Sequence, residues 1–129
     1  MLTNSKTGEI IRQYNSEELK QAASMMRGYN LISLCAAKSG HSGGTLSIMD
    51  ICAVLYLKVA KHDPDNSNWD NRDRIVWSAG HKAPALYVSL GYSGYYDVKD
   101  VVRLRKLGSP YQGHPDWKKL KGVEFSTGS

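Results

Sequence analysis

Three of the four histidines in this 129-residue chain stand directly after a glycine: Gly40-His41, Gly80-His81 and Gly113-His114. Each pair falls in a loop just after a predicted helix or strand, so the chain must turn at three separate points and present an imidazole at each. Glycine allows a sharp turn and a close approach of the backbone to a ligand. Imidazole donates to phosphate, accepts from hydroxyl groups and moves protons near neutral pH. Three such loops can converge on one small polar ligand, although spacing alone does not name it. A single Gly-His pair carries almost no information. His62, at the exit of a helix into a polar loop, reads as structural.

The segments between these loops are helical by pattern. Ser16 followed by Glu17 and Glu18 marks a helix start, with a capping hydroxyl and acids in the first turn. The helix is predicted to run to Lys38, with Leu19, Ala23, Met26, Leu31, Leu34 and Cys35 as its apolar side and Gly40 as its stop. Residues 40–46 read as a glycine-rich loop, and Ser47 with Asp50 as a capping box. The helix that follows, about 48–61, is apolar nearly all round and therefore expected to be central. Residues 62–73 are dense in Asp, Asn, Ser and Pro, which marks a surface loop. Residues 74–78 (RIVWS) form the one convincing strand, emptying into Gly80-His81. A short helix at 83–90 has Pro84 in its first turn, and Asp97 caps another at about 98–106. The remainder reads as loop with a brief strand at 123–126. We divide the chain into a lead-in, 1–15, and one domain segment, 16–129.

Composition removes several functional classes. At 41% hydrophobic and 22% charged the chain is an ordinary foldable sequence. Its formal charge of +5 comes mainly from a late cluster: Arg103, Arg105, Lys106, Lys118, Lys119 and Lys121. No aromatic RNA-binding signature accompanies it, so a solvated basic face is the simplest reading and nucleic acid is not expected. The longest apolar stretch, Ile48 to Val59, is broken by Asp50 and Lys58 and is too short to cross a bilayer. The first ten residues contain no apolar signal core. Cys35 and Cys52 lack any metal or redox spacing and read as small buried hydrophobes in a reducing compartment, so a cytoplasmic protein is expected. P-loop, dinucleotide-fold and zincin signatures are all absent.

Four motifs together carry a resemblance. SGHSGGTLS (39–47), DRIVWSAGH (73–81) followed by APALY (83–87), LRKLGS (104–109) with QGHP (112–115), and GVE (122–124) with STGS (126–129) resemble, in order and separation, the opening segment of transketolases. The likeness runs from about residue 16 to the last residue. It is closest in style to the form in which transketolase is split into N- and C-terminal chains. Ser42 departs from the family's usual proline, a modest change in the loop.

The resemblance implies an α/β fold, a parallel sheet flanked by helices, of which this chain covers only the first part. It implies thiamine diphosphate as cofactor. His81 then corresponds to the histidine that hydrogen-bonds the diphosphate. His114 corresponds to the one near the thiazolium and the donor sugar, and His41 to a substrate-contacting one. His41 and His114 are thus the expected catalytic and substrate-binding residues. Gly128 and Ser129 correspond to the loop that touches the aminopyrimidine. Gly43 and Gly44 would keep the His41 loop close to the site. The hard cation, Mg²⁺ or Ca²⁺, would take its ligands from a later motif outside this chain. The glutamate that activates the cofactor would come from the other domain.

The expected function is therefore one part of an enzyme that moves a two-carbon ketol unit from a ketose phosphate to an aldose phosphate, inactive as this chain alone. The expected partners are a C-terminal transketolase section and a second copy, as a homodimer or heterotetramer. A transketolase-like enzyme for a sulfonated or branched sugar is the nearest rival. 1-Deoxyxylulose-5-phosphate synthase ranks low, because its histidine loops read differently. A non-catalytic binding remnant is the rival of another class, with a nucleic-acid binder and a zinc hydrolase behind it. A domain cut within its core would leave the 48–61 helix partly uncovered, which predicts self-association or poor stability.

Overall fold

The computed structural model describes residues 1–128. A 22-residue helix, α1 (Ser16–Ala37), is the spine of the molecule. Around it pack α2 (Ser42–Ser47), α3 (Met49–Val54), α4 (Ala83–Tyr92) and a 3₁₀ turn at Val98–Arg103. The cap of α1 is Asn15, one residue before the predicted Ser16. Its side chain accepts from the Glu18 N–H at 2.9 Å, and the Glu18 carboxylate accepts from the Asn15 N–H at 2.8 Å. Asn is as good a cap as Ser, and only Asn15 has the glutamate three positions on. At the other end Lys38 adopts a left-handed conformation, φ 55°. Gly40 follows at φ 133°, where any Cβ would strike Leu34.

The buried stripe of α1 is Leu19, Ala22, Ala23, Met26, Asn30, Ser33 and Leu34. Leu31 and Cys35, predicted to face inward, are exposed. The 3.6-residue period carries the stripe from Met26 to Asn30 and Ser33 in spite of their polarity, and rotates Leu31 off it. Cys52 does face inward, and burial pushes its thiol up to about 11. The glycine-rich segment predicted as loop is instead the helical turn α2. The proposed Ser47–Asp50 capping box does not form. Ser47 donates to the Gly44 carbonyl, and Asp50 pairs with Arg27 at 2.7 Å. The 48–61 helix is α3 continued by a π-helical turn, Leu55–Val59. It buries Met49, Cys52, Ala53, Tyr56 and Leu57 and leaves Ile51, Val54 and Val59 exposed.

Residues 1–15 contain a small antiparallel pair, β1 (Leu2–Thr3) with β2 (Ile10–Arg12), and Leu2 makes a parallel bridge to His62. Residues 74–78, predicted as a strand, form no regular element, with Trp77 buried and donating to the Tyr56 hydroxyl at 3.1 Å. They pair with no other strand among the described residues. A strand needs a neighbouring backbone to complete its ladder, and here the Trp77 carbonyl takes the Thr127 hydroxyl instead. The brief strand predicted at 123–126 is likewise not formed. α4 is buried on nearly every side from Ala83 to Gly91. The described residues thus form a helix-rich part of the α/β fold in which segment 74–78 leads, through a 3₁₀ turn, into α4.

Candidate functional site

The loop after α1, the end of segment 74–79 and the loop after Gln112 meet at one cleft. It has a volume of about 690 Å³ and is lined by His41, Ser78, Ala79, Gly80, His81, His114 and Gly128. The His41 and His81 rings stand edge to face, 5.3 Å between centroids. All three imidazoles are exposed to the cleft. The fourth histidine, His62, lies elsewhere, buried between the Tyr95 hydroxyl (3.0 Å) and the Tyr56 carbonyl (2.7 Å). A carbonyl can only accept, so Nε2 carries the proton and Nδ1 accepts from Tyr95. Burial lowers its pKa, and the structural reading of this residue holds.

Each loop is held from beneath. Asn30, fully buried in α1, donates to the Thr45 hydroxyl at 2.9 Å, and that hydroxyl donates to the His41 carbonyl at 2.9 Å. The His114 carbonyl accepts from the Tyr87 hydroxyl of α4 at 3.2 Å, and the Gln112 carbonyl does so at 2.7 Å. His81 lies in a 3₁₀ turn, Gly80–Lys82, that runs straight into α4. The positive end of that helix therefore opens beside the cleft. Gly80 is indispensable to the packing. A Cβ there would lie 2.6 Å from Gly128 Cα and 2.7 Å from both the His114 ring and the Thr127 carbonyl. Gly128, at φ 109°, would drive a Cβ into the same ring. Thr127 fastens this last segment, through its N–H to the Pro115 carbonyl at 3.4 Å and its hydroxyl to Trp77.

Four of the five residues picked from sequence, His41, His81, His114 and Gly128, therefore line one cleft. Ser129 lies outside the described residues. Gly43 and Gly44 are not cleft-lining; Gly44 lies against the Lys82 side chain, where a Cβ would be 3.3 Å from Cε. Sequence reasoning missed Ser78 and Ala79 as lining and Asn30, Thr45 and Tyr87 as supports. A polar residue on the inward stripe of α1 was the available signal for Asn30. Among the described residues no group of three or more His, Cys, Asp or Glu side chains is arranged to hold a metal ion. No described helix is long and apolar enough to cross a membrane.

A polar cleft ringed by imidazoles and floored by glycines is the site of a ligand-binding domain that keeps its ligand groups on loops. The chain matches the family "Transketolase, thiamine diphosphate binding domain" over residues 18–129. It belongs to that family. It is similar to the 6-deoxy-6-sulfo-D-fructose transketolase subunit of a Clostridium species, 37% identical over 112 residues, covering 87% of this chain and 41% of that one. The transketolase of Treponema pallidum is 39% identical over 113 residues, covering 87% of this chain and 17% of that one. The solved transketolase of Campylobacter jejuni superposes with a TM-score of 0.80 at 40% identity, over 89% of this chain and 18% of that one. The fold is accordingly α/β. The chain spans well under half the length of these relatives.

Proposed function

We propose that this chain is the N-terminal portion of a transketolase, which transfers a two-carbon ketol unit from a ketose phosphate to an aldose phosphate. The convergence of His41, His81, His114 and Gly128 on one cleft carries this reading. The residues fit thiamine diphosphate by their chemistry. Gly80 and Gly128 leave space that a Cβ would fill, and three donor-capable rings and a helix N-terminus suit an anionic, heteroaromatic group. Bound there, the cofactor would supply the electron sink for cleaving and forming a carbon–carbon bond beside a carbonyl.

The protein's own part is positioning and proton handling. His81, beside the start of α4, would donate to the diphosphate. His114 would lie near the thiazolium and move a proton at the donor's first hydroxyl groups. His41 faces the substrate and donates to its carbonyl oxygen as charge develops there. Gly128, with Ser129 after it, offers backbone to the aminopyrimidine. A hard cation, Mg²⁺ or Ca²⁺, would take its ligands outside this chain. The working enzyme is a cytoplasmic assembly with a C-terminal transketolase section, as a homodimer or heterotetramer, and this chain alone turns nothing over. Residues 16–129 form the first part of the diphosphate-binding domain, with 1–15 as its lead-in. A second reading, a sulfonated sugar as substrate, is favoured by the likeness to the sulfofructose transketolase subunit.

Calorimetric titration of thiamine diphosphate with Mg²⁺ tests the reading, on this chain alone and with a C-terminal transketolase section. Binding that needs the partner and is abolished by His81→Ala is the expected result. Absence of binding in both preparations would move the binding-remnant reading to the front. Turnover by this chain alone would refute the division of labour.

A further inference from the structure

The late basic cluster, which in sequence reads as one solvated face, is divided by the fold. Arg103 pairs with Asp100 at 3.1 Å. Lys118 lies over the Trp117 ring and Lys121 over the Tyr95 ring, each 5.8 Å from the centroid. Arg105, Lys106 and Lys119 line a second cleft of about 750 Å³ beside His114. Of these three, only Arg105 makes a side-chain hydrogen bond among the described residues, and that bond reaches across the molecule to Ser39.

Arg105 sits in a closed turn. Its N–H donates to the Tyr111 carbonyl at 2.8 Å, and the Ser109 N–H donates to the Lys106 carbonyl at 3.0 Å. The turn holds Arg105 at φ 59°, in the left-handed region that glycine occupies most easily. A side chain there strains the backbone, so its use is to be sought in what it touches. The guanidinium donates through Nη1 to the Ser39 hydroxyl at 3.0 Å. Its remaining atoms lie on the Gly113 backbone, where a Cβ would meet Nε at 3.1 Å, Nη2 at 3.4 Å and Cζ at 3.5 Å. Ser39 stands two residues before His41, and Gly113 directly before His114. One planar group thus touches both loops. The other supports each tie a loop to a helical segment, His41 through Thr45 and Asn30, and His114 through Tyr87. Among the described residues no other hydrogen bond joins segment 38–42 to segment 105–115.

We propose that Arg105 is a positioning residue that clamps the His41 loop to the His114 loop and sets the separation of their imidazoles. A rigid plane with several donors bonds one loop while lying flat on the other, which a lysine ammonium on its flexible stem does not reproduce. What the two imidazoles do to a substrate rests on the function proposed above; the clamp itself does not.

Backbone order parameters from NMR relaxation of the full chain test the clamp. Arg105→Gly relieves the backbone and deletes the guanidinium. The urea midpoint should therefore not fall, while order parameters drop at both 40–42 and 113–114 and hold at 80–81. Arg105→Lys keeps the charge and loses the fork, and should leave both loops loose. Gly113→Ala keeps Arg105 but lifts its guanidinium away, and should loosen the distant His41 loop. Lys106→Gln, on the same turn, should change neither loop. In the assembly with a C-terminal transketolase section, Arg105→Gly should lower kcat about tenfold, because a misplaced proton donor slows turnover. The thiamine diphosphate Kd should stay unchanged, because His81 is placed by the turn that enters α4. Unchanged order parameters in Arg105→Gly, loosening confined to one loop, full recovery by Arg105→Lys, or an unchanged kcat in an active assembly would overturn the proposal. So would a fallen midpoint with loosening at 80–81 as well, the mark of a merely structural role. An assembly that turns nothing over even with Arg105 in place would remove the function proposed above, and the relaxation data would still decide the clamp.

Discussion

At the scale of single residues, the site depends on what is missing from two side chains. Gly80 and Gly128 leave the space occupied by the His114 ring and by their own close approach. Gly80→Ala should therefore destabilise the fold by about 1–3 kcal/mol, as overpacked cores do. Urea unfolding measures this, and an unchanged midpoint would mean that the approach is softer than described. His62 makes the opposite kind of contribution, as a buried ring whose charged form is penalised by desolvation. Burial lowers its pKa in the folded state, below the ordinary value of 6.5. The unfolded state then binds the proton more readily, so stability is complete above pH 6.5 and is lost as pH falls below it. Thermal midpoints taken from pH 7.5 down to 5 should decline. His62→Gln should start lower and decline less over that window.

At the scale of elements, one ion pair ties the cleft's last wall to the rest. Arg72, in the polar loop after the π-helical turn, meets Glu124 through two bonds of 2.7 Å, with both side chains 13% exposed. Glu124 begins the segment that carries Thr127 and Gly128 to the cleft. Leaving one partner of such a pair buried alone is costly, so Glu124→Gln should destabilise by about 1–3 kcal/mol. Denaturant unfolding reports that loss, and the double variant with Arg72→Met should recover part of it if the stranded charge is the cause. The bond between Arg27 and Asp50 joins α1 to α3 at the surface, with Asp50 side chain 70% exposed. Removing it should change stability by less than about 1 kcal/mol.

At the scale of the whole molecule, apolar side chains remain on the outside. Met25 and Ile32 lie two turns apart on α1, Ile51 and Val54 one turn apart on α3, and each is at least 40% exposed. Val59, Val76, Trp117 and Phe125 are exposed as well. Apolar side chains at this density favour association. Sedimentation should therefore show a mass that rises with concentration, and Ile51→Lys with Val54→Lys should reduce it. A concentration-independent monomer would count against a covered face.

The sequence by itself determined the family, because four motifs keep their order and separation, and it picked out the residues of the cleft. Glycine before histidine is a local requirement, written in adjacent positions, and so are the extent of α1 and the start of α4. Tertiary structure alone decided what depends on distant partners. Residues 74–78 have β-branched character, yet a strand exists only where a second backbone completes it. Gly43 and Gly44 have loop propensity, yet they lie in α2, where Gly44 rests against Lys82 and Thr45 is bonded by Asn30. The stripe of α1 passes through polar Asn30 because helical geometry, not hydrophobicity, sets which position faces inward, and Thr45 is there to bond it. The basic cluster is one group in sequence and two in space, because charge pattern records no direction. Only the turn closed between Arg105 and Tyr111 brings Arg105, Lys106 and Lys119 to a single cleft beside His114.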